Sequence, residues 1–277
     1  MSFGKTVFIL LNLMMFICLA GCATVSTTAR VEVSSSSIAY HVKEGPGPTI
    51  VFQSGLGDGK SVWEGVLRRL PKSVSLFAYD RPGYGDSPSS PGPRDPCSIA
   101  RELRALLRAA DVRPPYVLVG HSLGGTYQFH FAKLFPEDVV GLVLLDPTHP
   151  HHWSRMQQDA PVRASTLNGL RLVAFTGVMR REFDDQEACN TDLNLSVPVS
   201  KPTSLLFSGR FRPEELGSFE RMVRKMRGEW TTFFVDAVSS EASSSGHYLH
   251  KEAPDAVVEA ILGIVGASKN SEGAMSR

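Results

Sequence analysis

Residues 118–125 read LVGHSLGG. A short apolar run, Tyr116 to Val119, stops at Gly120. One serine, Ser122, then stands between small residues, and a second glycine pair follows. Gly120, His121, Ser122, Leu123 and Gly124 spell G-x-S-x-G, the spacing with which a strand turns sharply into a helix. The positions two before and two after the serine must be small for so tight a corner to close. The corner pushes the serine outward, where its hydroxyl becomes reachable by a base and a substrate. A helix that starts there aims its first amides at negative charge developing beside the serine. The five-residue pattern is weak on its own. Its context strengthens it, because strand-like YVLV precedes it and helix-like TYQFHFAKLF (126–135) follows.

Outward from the corner, short apolar runs recur: TIVFQS (49–54), SLFAYD (75–80), GLVLLD (141–146), SLLFSG (204–209) and TTFFVDAV (231–238). They are rich in β-branched and aromatic residues and near-continuous rather than alternating. Strands buried on both faces of a parallel sheet read this way. Between them, SIARELRALLRAAD (98–111) and APDAVVEAILGIVGA (253–267) repeat apolar residues at three and four spacing, and Pro254 suits a first helical turn. The alternation predicts an α/β fold, a mainly parallel twisted sheet flanked by helices. The interval 148–201 breaks the rhythm and carries helix-like WSRMQQDA (153–160) and RASTLNGLRLVAFTGVMRREF (163–183). Its length predicts a helical lid inserted between core strands. The core then falls into 31–147 and 202–268, with a tail at 269–277.

The bulk numbers permit this. A chain of 277 residues with 42% hydrophobic and 21% charged residues buries a full core. Its formal net charge of +1 gives no sign of a nucleic-acid partner. The most basic stretch, RMVRKMRGE (221–229), reads as a solvated helix face.

The N-terminus, MSFGKTVFILLNLMMFICLAGCATVS (1–26), has Lys5 and then an apolar run. The run is shorter than the roughly twenty residues that span a bilayer, and it fits the apolar region of a secretory signal. Leu19-Ala20-Gly21-Cys22 resembles the lipobox of bacterial lipoproteins. The resemblance implies cleavage of 1–21, a diacylglyceryl group on the Cys22 thiol, often a further acyl chain on the new amino group, and a tether at 22–30. Two or three acyl chains anchor durably where one does not. Ala23 rather than Asp after the cysteine points to the outer membrane, so the expected location is the bacterial cell envelope, lipid-anchored. With Cys22 lipidated, Cys97 and Cys189 remain, either as a disulfide or as two buried free thiols. Neither has a cysteine or histidine at metal-ligand spacing.

Four stretches carry a second resemblance. They are IVFQSGLGDGKSVW (50–63), AYDRPGYGDS (78–87), VLVGHSLGG (117–125) and SGHYLHKEAPDAVVEAI (245–261). In this order they resemble the strand and oxyanion loop, the D-R-x-G-x-G-x-S loop, the nucleophile corner and the histidine loop of lid-bearing serine esterases of the α/β-hydrolase superfamily. The likeness covers about residues 38 to 265 and is weakest in the lid. It implies Ser122 as nucleophile and His247, directly after Gly246, as base, with His250 the rival. It implies an oxyanion hole from the amides of Leu123 and Leu56. Here Ser54-Gly55 stands where the family often has His-Gly, which leaves amide donors untouched. It also implies structural roles for His121, Asp80 and Arg81.

The triad acid departs from the commonest pattern. The family usually places an Asp shortly after the strand before the last one. RFRPEEL (210–216) has none there, only Glu214 and Glu215. GLVLLD instead puts Asp146 at the end of the preceding strand, where some members carry their acid. A short Asp on a rigid strand end holds the histidine better than a Glu in a charged loop, so Asp146 is the expected acid and Glu214 the alternative. His149, His151 and His152 lack a carboxylate or cysteine at helical ligand spacing and read as a polar entry to the lid, so no metal is expected. The resulting expectation is a cofactor-free, membrane-anchored serine hydrolase that cleaves a small-molecule carboxylic ester through an acyl-enzyme. The same triad also serves C–C bond hydrolases and cofactor-free perhydrolases. A non-catalytic, ligand-binding lipoprotein is a different class. Epoxide hydrolases and haloalkane dehalogenases need Asp at the corner, and Ser122 argues against them.

Overall fold

The computed structural model describes residues 28–33 and 36–275. The expected signal segment, Cys22 and most of the expected tether lie outside the described residues. The chain opens with strands β1 (Ala29–Val33), β2 (Ser36–Lys43) and β3 (Thr49–Gln53), followed by the short helix α1 (Glu64–Leu67). Then come β4 (Leu76–Tyr79), α2 (Pro96–Ala109), β5 (Tyr116–His121), α3 (Leu123–Leu134) and β6 (Val139–Leu145). Three helices follow: α4 (His152–Asp159), α5 (Pro161–Ala174) and α6 (Gly177–Asp184). The rest is β7 (Thr203–Ser208), α7 (Ser218–Trp230), β8 (Ala237–Ala242), α8 (Leu249–Glu252) and α9 (Pro254–Met275).

The strands form one eight-stranded sheet in the order β1-β2-β4-β3-β5-β6-β7-β8. The β1–β2 and β2–β4 pairs are antiparallel, and the remaining pairs are parallel. Every residue of β3, β4 and β5 is buried, as near-continuous apolar runs require. Alternate residues of these strands feed two apolar layers. Val51, Phe77 and Leu118 pack with Leu103, Leu107 and Phe129 of α2 and α3 on one face. Ile50, Phe52, Val117 and Val119 pack with Trp63, Val257 and Ile261 on the other.

The sheet edges depart from the sequence expectation. The run Thr231–Val238 reads as a strand, yet Thr231–Phe233 is a 3₁₀ turn and β8 begins only at Ala237. The aromatics of that run are core residues reached from a turn, since Phe233 and Phe234 pack on Phe129. β8 is an edge strand with a mostly exposed, polar sequence, so it carries no apolar signal. At the C-terminus α9 continues to Met275, where a tail was expected from residue 269.

Cys97, in the first turn of α2, and Cys189, just after α6, are joined by a disulfide across 92 residues. Removing it with Cys97→Ala/Cys189→Ala is expected to destabilise the protein by about 4–5 kcal/mol on the chain-entropy argument. A lower urea midpoint in the double variant, together with a linked peptide pair in a non-reducing digest of wild type, checks this. Two separate peptides would contradict it.

Two of the buried histidines illustrate the response to acid. His250, 1% exposed, packs its ring on Trp63 and His121. Burial first, then the charges of Lys251 and His247, push its pKa down to about 3. Burial and the neighbouring His151 likewise bring buried His149 to about 3. Both rings are therefore neutral in the fold but protonate near pH 6.5 in the unfolded chain. Their contribution is fully present above about pH 6.5 and is lost as pH falls toward their folded values. Urea midpoints are expected to be flat from pH 8 to 7 and to fall between about pH 6 and 4. His250→Gln should flatten that fall. An equal slope in wild type and variant would count against the assignment.

Candidate active site

The turn from β5 into α3 places Ser122 at φ 54° and ψ −125°. A non-glycine residue holds this backbone only where its surroundings enforce it. A Cβ on Gly120 would lie 2.5 Å from the Gly124 carbonyl oxygen, and one on Gly124 would collide with the Gln53 carbonyl. Both positions must therefore be glycine for the chain to close on itself. The Ser122 amide donates to the Leu145 carbonyl at 3.0 Å, which ties the corner to the end of β6. The Ser122 carbonyl accepts from Gly125 and Thr148 amides at 2.9 and 3.0 Å. The hydroxyl pairs with Thr148 Oγ1 at 3.4 Å, and among the described residues it has no hydrogen bond to His247. Between a serine and a histidine expected to act as nucleophile and base, such a contact is often long or unformed before substrate binds.

At the end of β6 the chain turns again, with Asp146 at φ 41°. Its carboxylate is mostly buried and gathers donors from three elements. His247 Nδ1 lies 2.7 Å from Oδ2. Ser208, the last residue of β7, donates its hydroxyl to Oδ2 at 3.0 Å. Arg227 of α7 donates Nη2 to Oδ1 at 2.8 Å. Burial alone would raise the carboxyl, but the His247 hydrogen bond and the charges of His247 and Arg227 outweigh it and hold it at about 2. An ionised carboxylate only accepts, so His247 Nδ1 carries the proton and the lone pair of the neutral ring is on Nε2. The His247 carbonyl accepts from His121 Nε2 at 2.8 Å, which fixes the backbone of the histidine loop.

Glu214 sits elsewhere on the cavity wall. Its backbone carbonyl accepts from Arg163 Nη1, and among the described residues no hydrogen bond joins its carboxylate to His247. His250 is buried behind the site between Trp63 and His121, while His247 is exposed enough to meet a ligand.

Leu56 and Leu123 pack together with Ile99 and Tyr127. A Cβ on Gly55 would lie 3.2 Å from Ser122 Cβ, so this loop runs directly beside the serine. Arg81 donates Nη1 to the Ser54 carbonyl at 2.6 Å and Nη2 to the Gly55 carbonyl at 2.8 Å. In a trans peptide the amide of the next residue points opposite to the carbonyl, so the Leu56 N–H is turned away from Arg81. The Leu123 N–H is the first of α3 and has no partner within its helix.

Arg81 is itself held by Glu182 of α6 at 3.0 Å. Glu182 also pairs with Arg94 at 2.9 Å and accepts from the Tyr84 hydroxyl at 2.8 Å. Burial would raise the Glu182 carboxyl, but Arg81 and Arg94 keep it lowered. Asp80 pairs with Lys60 at 2.6 Å and accepts from the amides of Lys60 and Asp86. It shapes the loop and touches none of the reactive groups.

Ser122, Asp146 and His247 line one cavity of about 680 Å³. Its walls come from the helices after β6 and from α7, including Met156, Leu167, Phe219 and Met226, and from the segment after β7, which adds Arg210, Glu214 and Glu215. His149 and His152 also line it, whereas His151 is exposed. None of these three belongs to a group with metal-ligand geometry. The two such groups among the described residues are Asp58/His121/His250 and Asp95/Cys97/Cys189, and the second has its thiols in the disulfide.

Several contributors escaped the sequence reading. Arg227 lies in the basic stretch expected to be a solvated face, yet its side chain is only 10% exposed and turns inward to Asp146. Its helix partner Trp230 donates Nε1 to the Pro147 carbonyl at 3.2 Å. One signal was available: Met222, Met226 and Trp230 mark the buried side of α7, and Arg227 neighbours it. Thr148, Ser208 and Glu182 carry no comparable mark.

A family model described as the alpha/beta hydrolase fold matches residues 48–234. Among curated proteins, YqjL of Bacillus subtilis is 39% identical over 107 residues, 39% of this chain and 42% of that one. YbdG of the same organism is 30% identical over 136 residues, 48% and 40% of the two chains. The matched segment thus spans about two fifths of these relatives' length. Among solved structures, Cfl2 from Burkholderia cenocepacia superposes with a TM-score of 0.65 at 18% identity, covering 86% of this chain and 95% of that one. A bacterial membrane phospholipase A superposes with a TM-score of 0.64 at 20% identity, covering 96% and 98%. At these identities the structural likeness speaks to fold alone. From the model match, and in keeping with the sheet order and the corner at Ser122, the chain belongs to the alpha/beta hydrolase fold family.

Proposed function

We propose that the protein is a serine hydrolase that cleaves carboxylic esters of apolar acyl groups. The observation that carries this is the 2.7 Å bond from His247 Nδ1 to a buried, ionised Asp146, in the cavity that also holds Ser122. That bond fixes the tautomer a general base needs. Ser122 Oγ attacks the acyl carbon while His247 Nε2 takes its proton. The amides of Leu56 and Leu123 receive the negative charge forming on the carbonyl oxygen. The imidazolium, stabilised by Asp146, gives its proton to the departing alcohol, leaving an acyl-serine. Water then attacks this ester, His247 takes its proton, and collapse returns the proton to Ser122 and releases the acid. The balance is ester plus water to acid plus alcohol, with no cofactor in the step. The apolar side chains of the cavity, among them Met156, Leu167, Phe219 and Met226, suit an acyl chain.

A fluorophosphonate probe is expected to label wild type and not Ser122→Ala. Asp146→Asn is expected to lower kcat on a nitrophenyl ester by about four decades, as loss of the tautomer does in such triads. Glu214→Gln should change it little. The reverse ranking would assign the acid to the later loop, and ester turnover surviving in Ser122→Ala would remove the mechanism.

The envelope location is part of the same proposal and rests on Leu19-Ala20-Gly21-Cys22. Cys22→Ala is expected to release the protein from bacterial membranes on fractionation. Equal retention of wild type and variant would point to another anchor.

A further inference from the structure

The helix α5 is turned inside out for a surface helix. Val162, Thr166, Gly169 and Val173 fall along one line at helical spacing, with Leu170 on one side and Leu172 on the other. All six are exposed, Val162 at 81%, Leu172 at 64% and Val173 at 85%. The other exposed positions, Pro161, Ser165, Asn168 and Ala174, are uncharged. The two charged residues of the helix are only partly exposed and are both paired. Arg163 pairs with Glu215 at 3.3 Å and stacks on Phe219, and Arg171 pairs with Asp184 and lies over Phe183. Scattered exposed aliphatics need no explanation, but a continuous neutral strip on a helix whose charges are both paired marks a contact surface.

The cavity identifies the occupant. Val162, Thr166 and Leu170 of this strip also line the cavity that holds Ser122 and His247. Whatever covers α5 therefore borders the cavity opening. The residues of the strip offer a protein partner no charged side chain of their own to pair with. Acyl chains match both the neutral strip and the apolar side chains of the cavity.

We propose that α5 seats its outer face on a lipid surface and that the cavity behind it takes the acyl chain of a lipid ester from that surface. The substrate class rests on the serine-esterase reading above, while the docking does not.

Two measurements on the full-length protein separate them. The first is amide hydrogen exchange of Ser122→Ala with and without phosphatidylcholine vesicles. Residues 161–174 are expected to exchange several-fold more slowly with vesicles, and this slowing should be lost when Leu172→Ser/Val173→Ser is added. Unchanged exchange in α5 would overturn the docking. So would slowing without vesicles that grows with protein concentration, which would assign the face to a second copy of the chain. The second is the rate on tributyrin below and above its solubility limit, each protein serving as its own reference. Wild type is expected to gain at least five-fold above the limit and Leu172→Ser/Val173→Ser less than two-fold. Equal gains would overturn the proposal. Absence of any hydrolysis of dissolved tributyrin would sink the esterase reading instead, and the exchange result would still decide the docking.

Discussion

At Ser122 a residue with a side chain is held at φ 54°, and the geometry around the cavity follows from how that is enforced. Such backbone costs of order 1–3 kcal/mol and persists only where neighbours over-determine it. Here the enforcement comes from the adjacent strand. The Ser122 amide is bonded to Leu145, and its carbonyl takes the amide of Thr148. The corner is thereby fastened to the point where β6 ends and Asp146 begins. Asp146 repeats the device at φ 41°, with its own amide bonded to Leu206 of β7. Successive parallel strands thus each fasten the strained exit of the strand before. The serine and the carboxylate are positioned by the sheet rather than by flexible loops.

The helices between β6 and β7 are held unequally. The inner end is bolted: buried Glu182 of α6 bonds Arg81, and Arg81 holds the carbonyls of Ser54 and Gly55. Removing one partner of such a buried network strands the others, typically at about 3–5 kcal/mol. The outer end is light, since Ala164 is the one buried residue of α5 among its fourteen. The segment therefore joins a rigid support for the Ser54–Leu56 loop to a helix with little packing to hold it in place. A helix with its aliphatics outward and a thin inner contact changes its surroundings more readily than one packed on two sides.

Much of this was legible in the chain. Buried parallel strands announce themselves as unbroken apolar runs, and a G-x-S-x-G corner needs its glycines for steric reasons that survive any context. Edge strand β8 was misplaced because half its surroundings are solvent, so AVSSEA carries no apolar run, while the aromatic stretch before it is recruited to the core from a turn. Pairwise choices were less legible. Asp146 and Glu214 both lie within plausible reach of a histidine in sequence terms. They are separated by the order of β6 and β7 in the sheet and by which residue α7 presents to the strand ends. Periodicity reports which face of a helix is buried, and it does not report which charge across the interface the helix will meet. For that reason Arg227 read as one more solvated cation.

Arg227 changes the character of the carboxylate it holds. In the proposed triad the acid has two tasks, fixing the imidazole and stabilising the imidazolium as it forms. A cation on Oδ1 helps the first, because it keeps the group ionised and pins its plane, leaving Oδ2 for the histidine. It opposes the second, because charge drawn toward Arg227 is charge not offered to His247. The hydrogen bonds of Ser208 and the rigid end of β6 already secure position, so the cation is not needed for geometry alone. What it adds is neutralisation. Asp146 is buried, and an unpaired carboxylate there would rise in pKa and tend to protonate. The His247 hydrogen bond and charge, and after them Arg227, together hold the carboxyl at about 2. The resting site is thus kept ready, at some loss of pull in the transition state. That balance suits a carboxylate at the end of β6, where α7 covers most of it and leaves it only 13% exposed.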